Sequence, residues 1–187
     1  ITVEEKPTGE VFAGAGTGTT GSNITAGIKE NNYLGLGIKL DTNLTLTDDS
    51  IKGKFSVLNP NYNNSDKSLK TELESSTNDF MSASGYKTSR VGFSIGTEFE
   101  QYENLFFSPE IDFSLEVLET NTTASSSLKK QEGSYFTSTV GYGFDYDLRN
   151  QKFQTTDGFR TKFTQTLPVI SDSNTVTSGL ISDHFIS

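Results

Sequence analysis

The sequence predicts an all-β protein, an antiparallel up-and-down sheet of transmembrane strands that forms part of a β-barrel. Three observations predict this fold class. Apolar and polar residues alternate with a period of two along most of the 187 residues, and a helical period is nearly absent. The alternating segments are about 9–13 residues long, the length that a tilted strand needs to cross a bilayer. Short and long connections follow one another in turn, as they do in membrane barrels.

The first two predicted strands lie within residues 3–35 and are joined by a Gly-Thr-Thr-Gly turn. The first strand is weak, because glycine loses the most conformational entropy and packs no side chain; its glycines are Gly9, Gly14, Gly16 and Gly18. A weak strand at the head of a regular series indicates an edge that must pair, unpair or bend. We therefore predict the functional seam of the sheet, carried by backbone rather than side chains, at Val11, Phe12, Ala13, Gly14, Ala15, Gly16 and Thr17.

Seven further segments alternate in the same way, namely Ile38–Thr47, Ile51–Val57, Leu69–Glu74, Arg90–Phe99, Leu105–Val117, Phe136–Tyr146 and Phe159–Leu167. From Asn174 the pattern frays, so we expect about nine to ten strands. Bacterial single-chain barrels have even strand numbers, and about nine complete strands therefore predict an incomplete barrel. We expect an open curved sheet whose first and last strands are not paired with each other.

Two groups of motifs stand near the two ends of the chain. The first group comprises V-x-E-x-x-T-G from Val3 to Gly9, the run Ala13–Gly16 with Gly18, and the turn Glu30–Gly37. The second comprises Tyr146–Asn150 followed by Gln154–Arg160. Together they resemble the BamA family of outer-membrane insertases, which fold other β-barrels into the bacterial outer membrane. The second group is similar to the family's D-x-R-N…P-T-D-G-x-R turn, with Thr155 where proline is usual.

The resemblance implies that residues 1–8 end a POTRA-like periplasmic domain or linker, and that residues 9–187 are the N-terminal part of an integral outer-membrane barrel. It also implies three partners: unfolded outer-membrane β-barrel proteins, the lipid bilayer and accessory assembly lipoproteins. The second motif becomes a structural turn built on Asp147, Arg149, Asp157, Gly158 and Arg160. We expect Arg149 and Arg160 to pair with Asp147 and Asp157, at a gain of only ~0–1 kcal/mol for exposed pairs.

If the strands span a membrane, their connections alternate between its two sides. The periplasmic connections are Asn31–Gly37, Asn59–Asp66, Tyr102–Asn104 and Asn150–Gly158. The extracellular connections are Thr19–Ser22, Thr47–Ser50, Asn78–Gly85 and Glu119–Gly133, of which the last is low in complexity and expected to be mobile. The proposed periplasmic ends carry the aromatic residues that an interfacial girdle needs, Tyr33, Tyr62, Tyr102 and Phe153.

Composition excludes several classes of function. The net charge of −9 argues against nucleic acid as a partner. Without cysteine, the chain has neither disulfides nor thiolate metal ligands. No apolar run approaches the ~18 residues of a membrane-spanning helix. No signal peptide is present, so we expect further residues upstream of Ile1.

Nothing in the sequence predicts an enzyme, a cofactor or a metal site. His184 is the only histidine, and no G-x-S-x-G motif accompanies it. The pairs Asp41/Asn43 and Asp145/Asp147 lack the glycine-bearing loop of an EF-hand and are interpreted as charges facing the barrel interior. The glycines from Gly14 to Gly18 are not followed by a helix, as a phosphate-binding loop requires.

The sequence thus favours assembly of outer-membrane proteins by templated strand pairing at the first strand. The main alternative is a TamA-like or two-partner secretion transporter of the same superfamily, and a more distant one is a structural or adhesive outer-membrane β-protein. The number of upstream POTRA repeats would separate these readings, with five, three and two expected for the BamA, TamA and secretion branches.

Overall fold

Segments of alternating polarity fold as ten antiparallel strands in one sheet, in which each strand is hydrogen-bonded to its neighbours in sequence. The computed structural model describes residues 8–18, 21–171 and 175–185. The strands are β1 (Gly9–Gly18), β2 (Gly21–Tyr33), β3 (Ile38–Thr47), β4 (Ser50–Asn59), β5 (Ser68–Phe80), β6 (Tyr86–Tyr102), β7 (Leu105–Thr120), β8 (Gly133–Asp147), β9 (Gly158–Ile170) and β10 (Thr177–Phe185).

The predicted open up-and-down sheet is confirmed. Within the described residues β1 pairs only with β2 and β10 pairs only with β9. The fraying expected beyond Asn174 is wrong for Thr177–Phe185, which pairs with β9 over its whole length. The side-chain pattern of β10 is weak, but the backbone ladder with β9 does not depend on that pattern. Strands β6 to β8 are 17, 16 and 15 residues long, longer than predicted.

One face of the sheet is apolar and largely exposed among the described residues. The register places Phe93 opposite Phe113 and Ile95 opposite Ile111, yet Phe93 and Phe113 are each 40% exposed. Among the described residues, only Leu118 and Ala124 are buried hydrophobic side chains. A water-soluble domain of this size buries a core. An exposed apolar face on long strands of alternating polarity is typical of a transmembrane β-barrel, in which this face lies against the bilayer.

The other face is polar and concave. A cavity of about 690 Å³ extends along it from Phe12 on β1 to Arg90 on β6, which requires the sheet to curve around this face. The carboxylate of Glu72 accepts ion pairs from Lys54 at 2.7 Å and Lys70 at 3.3 Å. This face has the position and chemistry of the water-filled interior of a barrel. We call it the inner face, and the apolar face the outer face.

The connection between β7 and β8, which is low in complexity, contains local structure, and its mobility stays a prediction. It contains a short helix, α1 (Ser126–Lys130), and Ser125 caps it by accepting the Leu128 N–H at 3.3 Å. Asn121 joins the loop to the turn after β5, with its backbone N–H on Gly85 O at 2.8 Å and its Nδ2 on Met81 O at 3.0 Å. Across the described ranges, no helix is long and apolar enough to cross a membrane.

Candidate functional site

The seam residues predicted from the sequence form the middle of β1. Val11, Ala13 and Ala15 lie on the outer face, opposite Ile28, Ala26 and Ile24 of β2. The alternate residues Phe12, Gly14 and Gly16 lie on the inner face. Every residue of β1 except Phe12 is exposed, and no heavy atom of another residue lies within 4 Å of the place where a Cβ on Gly14 would be. Side chains therefore stabilise β1 very little, and its pairing depends on backbone hydrogen bonds.

Phe12 is the exception within β1. It lies opposite Gly27 of β2, and its ring occupies the space that a side chain at Gly27 would need, since a Cβ there would be 2.7 Å from Phe12 Cε1. Lys29 Nζ lies 5.7 Å from the ring centroid. The sequence alone assigns Phe12 only a backbone role. The available signal is an aromatic residue and a glycine that lie opposite each other in the register of β1 with β2.

Two motifs of the first group, the one that ends at Gly9 and the turn Glu30–Gly37, meet at the start of β1. Thr8 Oγ1 donates to Glu30 Oε1, and the Asn32 N–H donates to the same oxygen at 2.7 Å. Asn31 donates its backbone N–H and its Nδ2 to Thr8 O, at 3.3 and 3.2 Å. Gly9 leaves room for this arrangement, because a Cβ there would be 2.7 Å from Glu30 Oε2. We call the contacts among Thr8, Glu30, Asn31 and Asn32 the Thr8 clasp.

The apolar part of the outer face is much shorter at β1 than at β7. On β1 it comprises Val11, Ala13 and Ala15, whereas on β7 it runs without interruption from Leu105 to Val117. At about 3.4 Å per residue, the two stretches measure about 14 Å and 41 Å along the strands. With a tilt of about 40°, their heights along the membrane normal are about 10 Å and 31 Å. Only the β7 stretch matches a full hydrocarbon layer.

The structural-turn residues lie between β8 and β9, on strands remote from β1. Arg149 pairs with Asp147 as expected, through Nε to Oδ1 at 2.8 Å and Nη2 to Oδ2 at 2.7 Å. This carboxylate raises the pKa of the Arg149 guanidinium above its ordinary value. The expected pairing of Arg160 with Asp157 is wrong. Arg160 instead donates Nε to Asp145 Oδ1 at 2.9 Å, because Arg149 occupies Asp147 and Asp157 Oδ1 accepts the Gly158 N–H at 2.9 Å.

Two further features fix this turn. Asn150 donates its backbone N–H to Asp157 O at 3.0 Å, and its Oδ1 accepts the N–H groups of Thr156 and Asp157 at 3.3 Å. Asn150 belongs to the D-x-R-N part of the motif, but the sequence alone assigns it no role. Gly158 has φ +106°, and a Cβ there would be 2.9 Å from Arg149 Cα. These hydrogen bonds hold the turn, which lies between β8 and β9 and away from the seam on β1.

These observations define the wall of an outer-membrane-type β-barrel: long antiparallel strands, an uncovered apolar face and a polar concave face. The model of the Omp85 superfamily domain matches residues 32–179, and the chain therefore belongs to the Omp85 superfamily, a family of outer-membrane protein insertases and transporters. The matched region begins near the end of β2, so β1 lies outside it.

A comparison with solved structures gives the same fold. BamA from Haemophilus ducreyi, crystallised without POTRA domains 1–3, matches with a TM-score of 0.66 and 22% identity over 95% of this chain. This chain spans 37% of that BamA chain. At this identity the likeness concerns the fold alone. No curated protein sequence matches the chain significantly.

Proposed function

We propose that this chain is the part of a bacterial outer-membrane barrel that receives unfolded β-barrel proteins and inserts them into the membrane. Residues 1–8 would end a periplasmic POTRA-like domain or linker. The activity is templated strand pairing at β1 and uses no catalytic residue, cofactor or metal. The main observation behind the proposal is the contrast between β1 and the rest of the wall. The inner face of β1 carries no side chain at Gly14 and Gly16, and its outer apolar height is about 10 Å.

The physical mechanism follows from the cost of unpaired backbone in lipid. An unpaired N–H or C=O in hydrocarbon costs several kcal/mol, so a client strand cannot enter the bilayer alone. An edge strand presents a row of such groups, and a client strand can satisfy both sets by adding to it. Glycines on the inner face of β1 favour this exchange, because an existing neighbour of β1 would lose few side-chain contacts on leaving.

The short outer apolar stretch supports the same proposal. A bilayer must thin beside a wall whose apolar height is below the hydrocarbon thickness, at a modest cost per ångström of mismatch. Thinned lipid lowers the barrier that a client's polar loops meet when they cross. The lipid bilayer is thus a partner in the proposed activity, together with unfolded outer-membrane β-barrel proteins. Accessory assembly lipoproteins are proposed from the family resemblance alone.

Site-directed crosslinking in the full-length protein tests this function. The chain has no cysteine, so single cysteines can be placed at each position from Val11 to Thr17 without background from this region. A client stalled during assembly should crosslink through its terminal strand to these positions. Matched cysteines at Ile111 and Phe113, which are exposed on the same outer face, should give no crosslink.

Two results would contradict the proposal. Equal crosslinking at β1 and β7 would indicate non-specific contact with the apolar face. Absence of crosslinks at every position along β1 would contradict templated strand pairing there, and would favour a transporter of the same superfamily, or a structural barrel, over an insertase.

A further inference from the structure

The periplasmic half of β1 is anchored on both faces of the sheet. On the outer face the Thr8 clasp ties the start of the strand to Glu30 and Asn31 of β2. The carboxylate of Glu30 lies where a side chain at Gly9 would be. On the inner face the ring of Phe12 covers Gly27. The two anchors lie only four residues apart along β1.

The extracellular half of β1 has no comparable anchor. Ala13–Gly18 are all exposed, and among the described residues no side-chain hydrogen bond or ion pair joins them to β2. A Cβ at Gly14 or at Gly18 would meet nothing within 4 Å. At Gly16 a Cβ would lie 2.8 Å from Asn23 Oδ1. The strand therefore consists of a pinned segment, residues 8–12, and a loosely held segment, residues 13–18.

We propose that Glu30 and Phe12 are positioning residues that set the register in which an incoming strand pairs with β1. This inference rests on the proposed function. A one-residue slip would turn every client side chain to the wrong face, so the competing registers differ by two residues. The backbone ladder does not distinguish those registers, and the glycines of β1 offer no side chains that could.

The pinned segment, residues 8–12, favours one of these registers over the others. Residues 8–12 hold their backbone groups in place before the client arrives, so the first hydrogen bonds form there without an ordering cost. The remainder of the client strand then extends along residues 13–18. If the anchors are removed, both halves of β1 are equally loose, and registers two residues apart become equivalent.

The test measures register in the full-length protein reconstituted in lipid vesicles. A cysteine replaces Val11, which is 80% exposed and belongs to neither anchor. A client carries one cysteine at successive positions of its terminal strand, and the yield of crosslink is recorded for each position. The unaltered anchors should give one dominant client position. Glu30→Ala and Phe12→Ala should each spread the yield to the positions two residues away on either side.

Conservative variants and matched controls separate positioning from general loss of structure. Glu30→Gln keeps the Oε1 acceptor for Thr8 and Asn32, and Phe12→Tyr keeps the ring over Gly27, so both should retain the single position. Glu100 accepts the Asn104 N–H at 2.7 Å, and Lys67 Nζ lies 4.9 Å from the Phe99 ring centroid. Glu100 thus accepts a backbone N–H as Glu30 does, and Phe99 has a lysine beside its ring as Phe12 does, but both lie on β6, far from β1. Glu100→Ala and Phe99→Ala should therefore leave the register unchanged.

Each outcome supports or overturns a defined claim. No crosslink in any protein contradicts the proposed function itself. A single unchanged position in Glu30→Ala and Phe12→Ala overturns this inference and leaves the proposed function standing. If these variants fail to insert, judged by heat-modifiable gel mobility, Thr8→Val decides, because it removes only the hydroxyl donor. It should spread the yield, and a single unchanged position would then overturn the inference.

Discussion

Gly158 offers the most direct test of the turn between β8 and β9. Its φ of +106° lies in a region that side chains disfavour, and a Cβ there would come within 2.9 Å of Arg149 Cα. Held in place, an alanine would carry backbone strain of about 1–3 kcal/mol. Relief of the overlap requires the turn to move.

Movement of the turn would break two backbone hydrogen bonds. Leu148 donates to Phe159 O at 2.9 Å, and Asn150 donates to Asp157 O at 3.0 Å. Each is worth about 0.5–1.5 kcal/mol net. The strain and the two hydrogen bonds together predict that Gly158→Ala lowers the free energy of unfolding by about 2–6 kcal/mol.

Two other glycines supply matched controls. Gly35 has φ +72° but open space around its Cβ position, so Gly35→Ala should cost about 1–2 kcal/mol from conformation alone. Gly14 has neither restriction, and Gly14→Ala should cost nothing or stabilise by up to about 1 kcal/mol. The assay is urea unfolding of the full-length barrel in vesicles, followed by circular dichroism and extrapolated to zero denaturant. If Gly158→Ala costs no more than Gly35→Ala, close packing of this turn does not determine its stability.

Three further predictions follow from the described contacts. The chain should need detergent or lipid, because Phe93, Ile95, Ile111 and Phe113 are 38–41% exposed on the outer face, which Phe107 shares. A monomeric, cooperatively folded chain in plain buffer would refute the membrane assignment. On the outer face Gln165 accepts a hydrogen bond from the Tyr142 hydroxyl and donates one to Ser178 Oγ at 3.1 Å. Gln165→Leu should lower the free energy of unfolding by about 1–2 kcal/mol, and by clearly less in a Tyr142→Phe background. Additive effects in urea unfolding would argue against coupling among these three side chains. Asn121→Ala should raise the rate of amide hydrogen exchange across residues 122–130, because it removes the hydrogen bond to Met81 O. Thr122→Ala should leave that rate unchanged. Equal exchange rates in the two variants would show that Asn121 does not hold the loop.

Several features of the chain were predictable from local sequence alone. A period of two in polarity determines which residues face lipid and which face the interior, because successive side chains of a strand point to opposite faces. The run Leu105–Val117 therefore predicted both its strand and its apolar face. Segment length pointed to a bilayer, and glycine content marked β1 as the weak strand. These properties depend on each strand separately, so no knowledge of its neighbours was required.

Other features were decided only by the tertiary structure, because they depend on register between strands. Phe12 covers Gly27 and Thr8 meets Glu30 since pairing brings together residues that are 15 and 22 positions apart. The choice of Asp145 by Arg160 depends on Arg149 already occupying Asp147. Strand β10 forms because its backbone pairs with β9, since its own side chains show no clear alternation in polarity. Alternation gives each side chain a face but not a partner; the partner is set by turn geometry and by competition among neighbouring groups in the folded sheet.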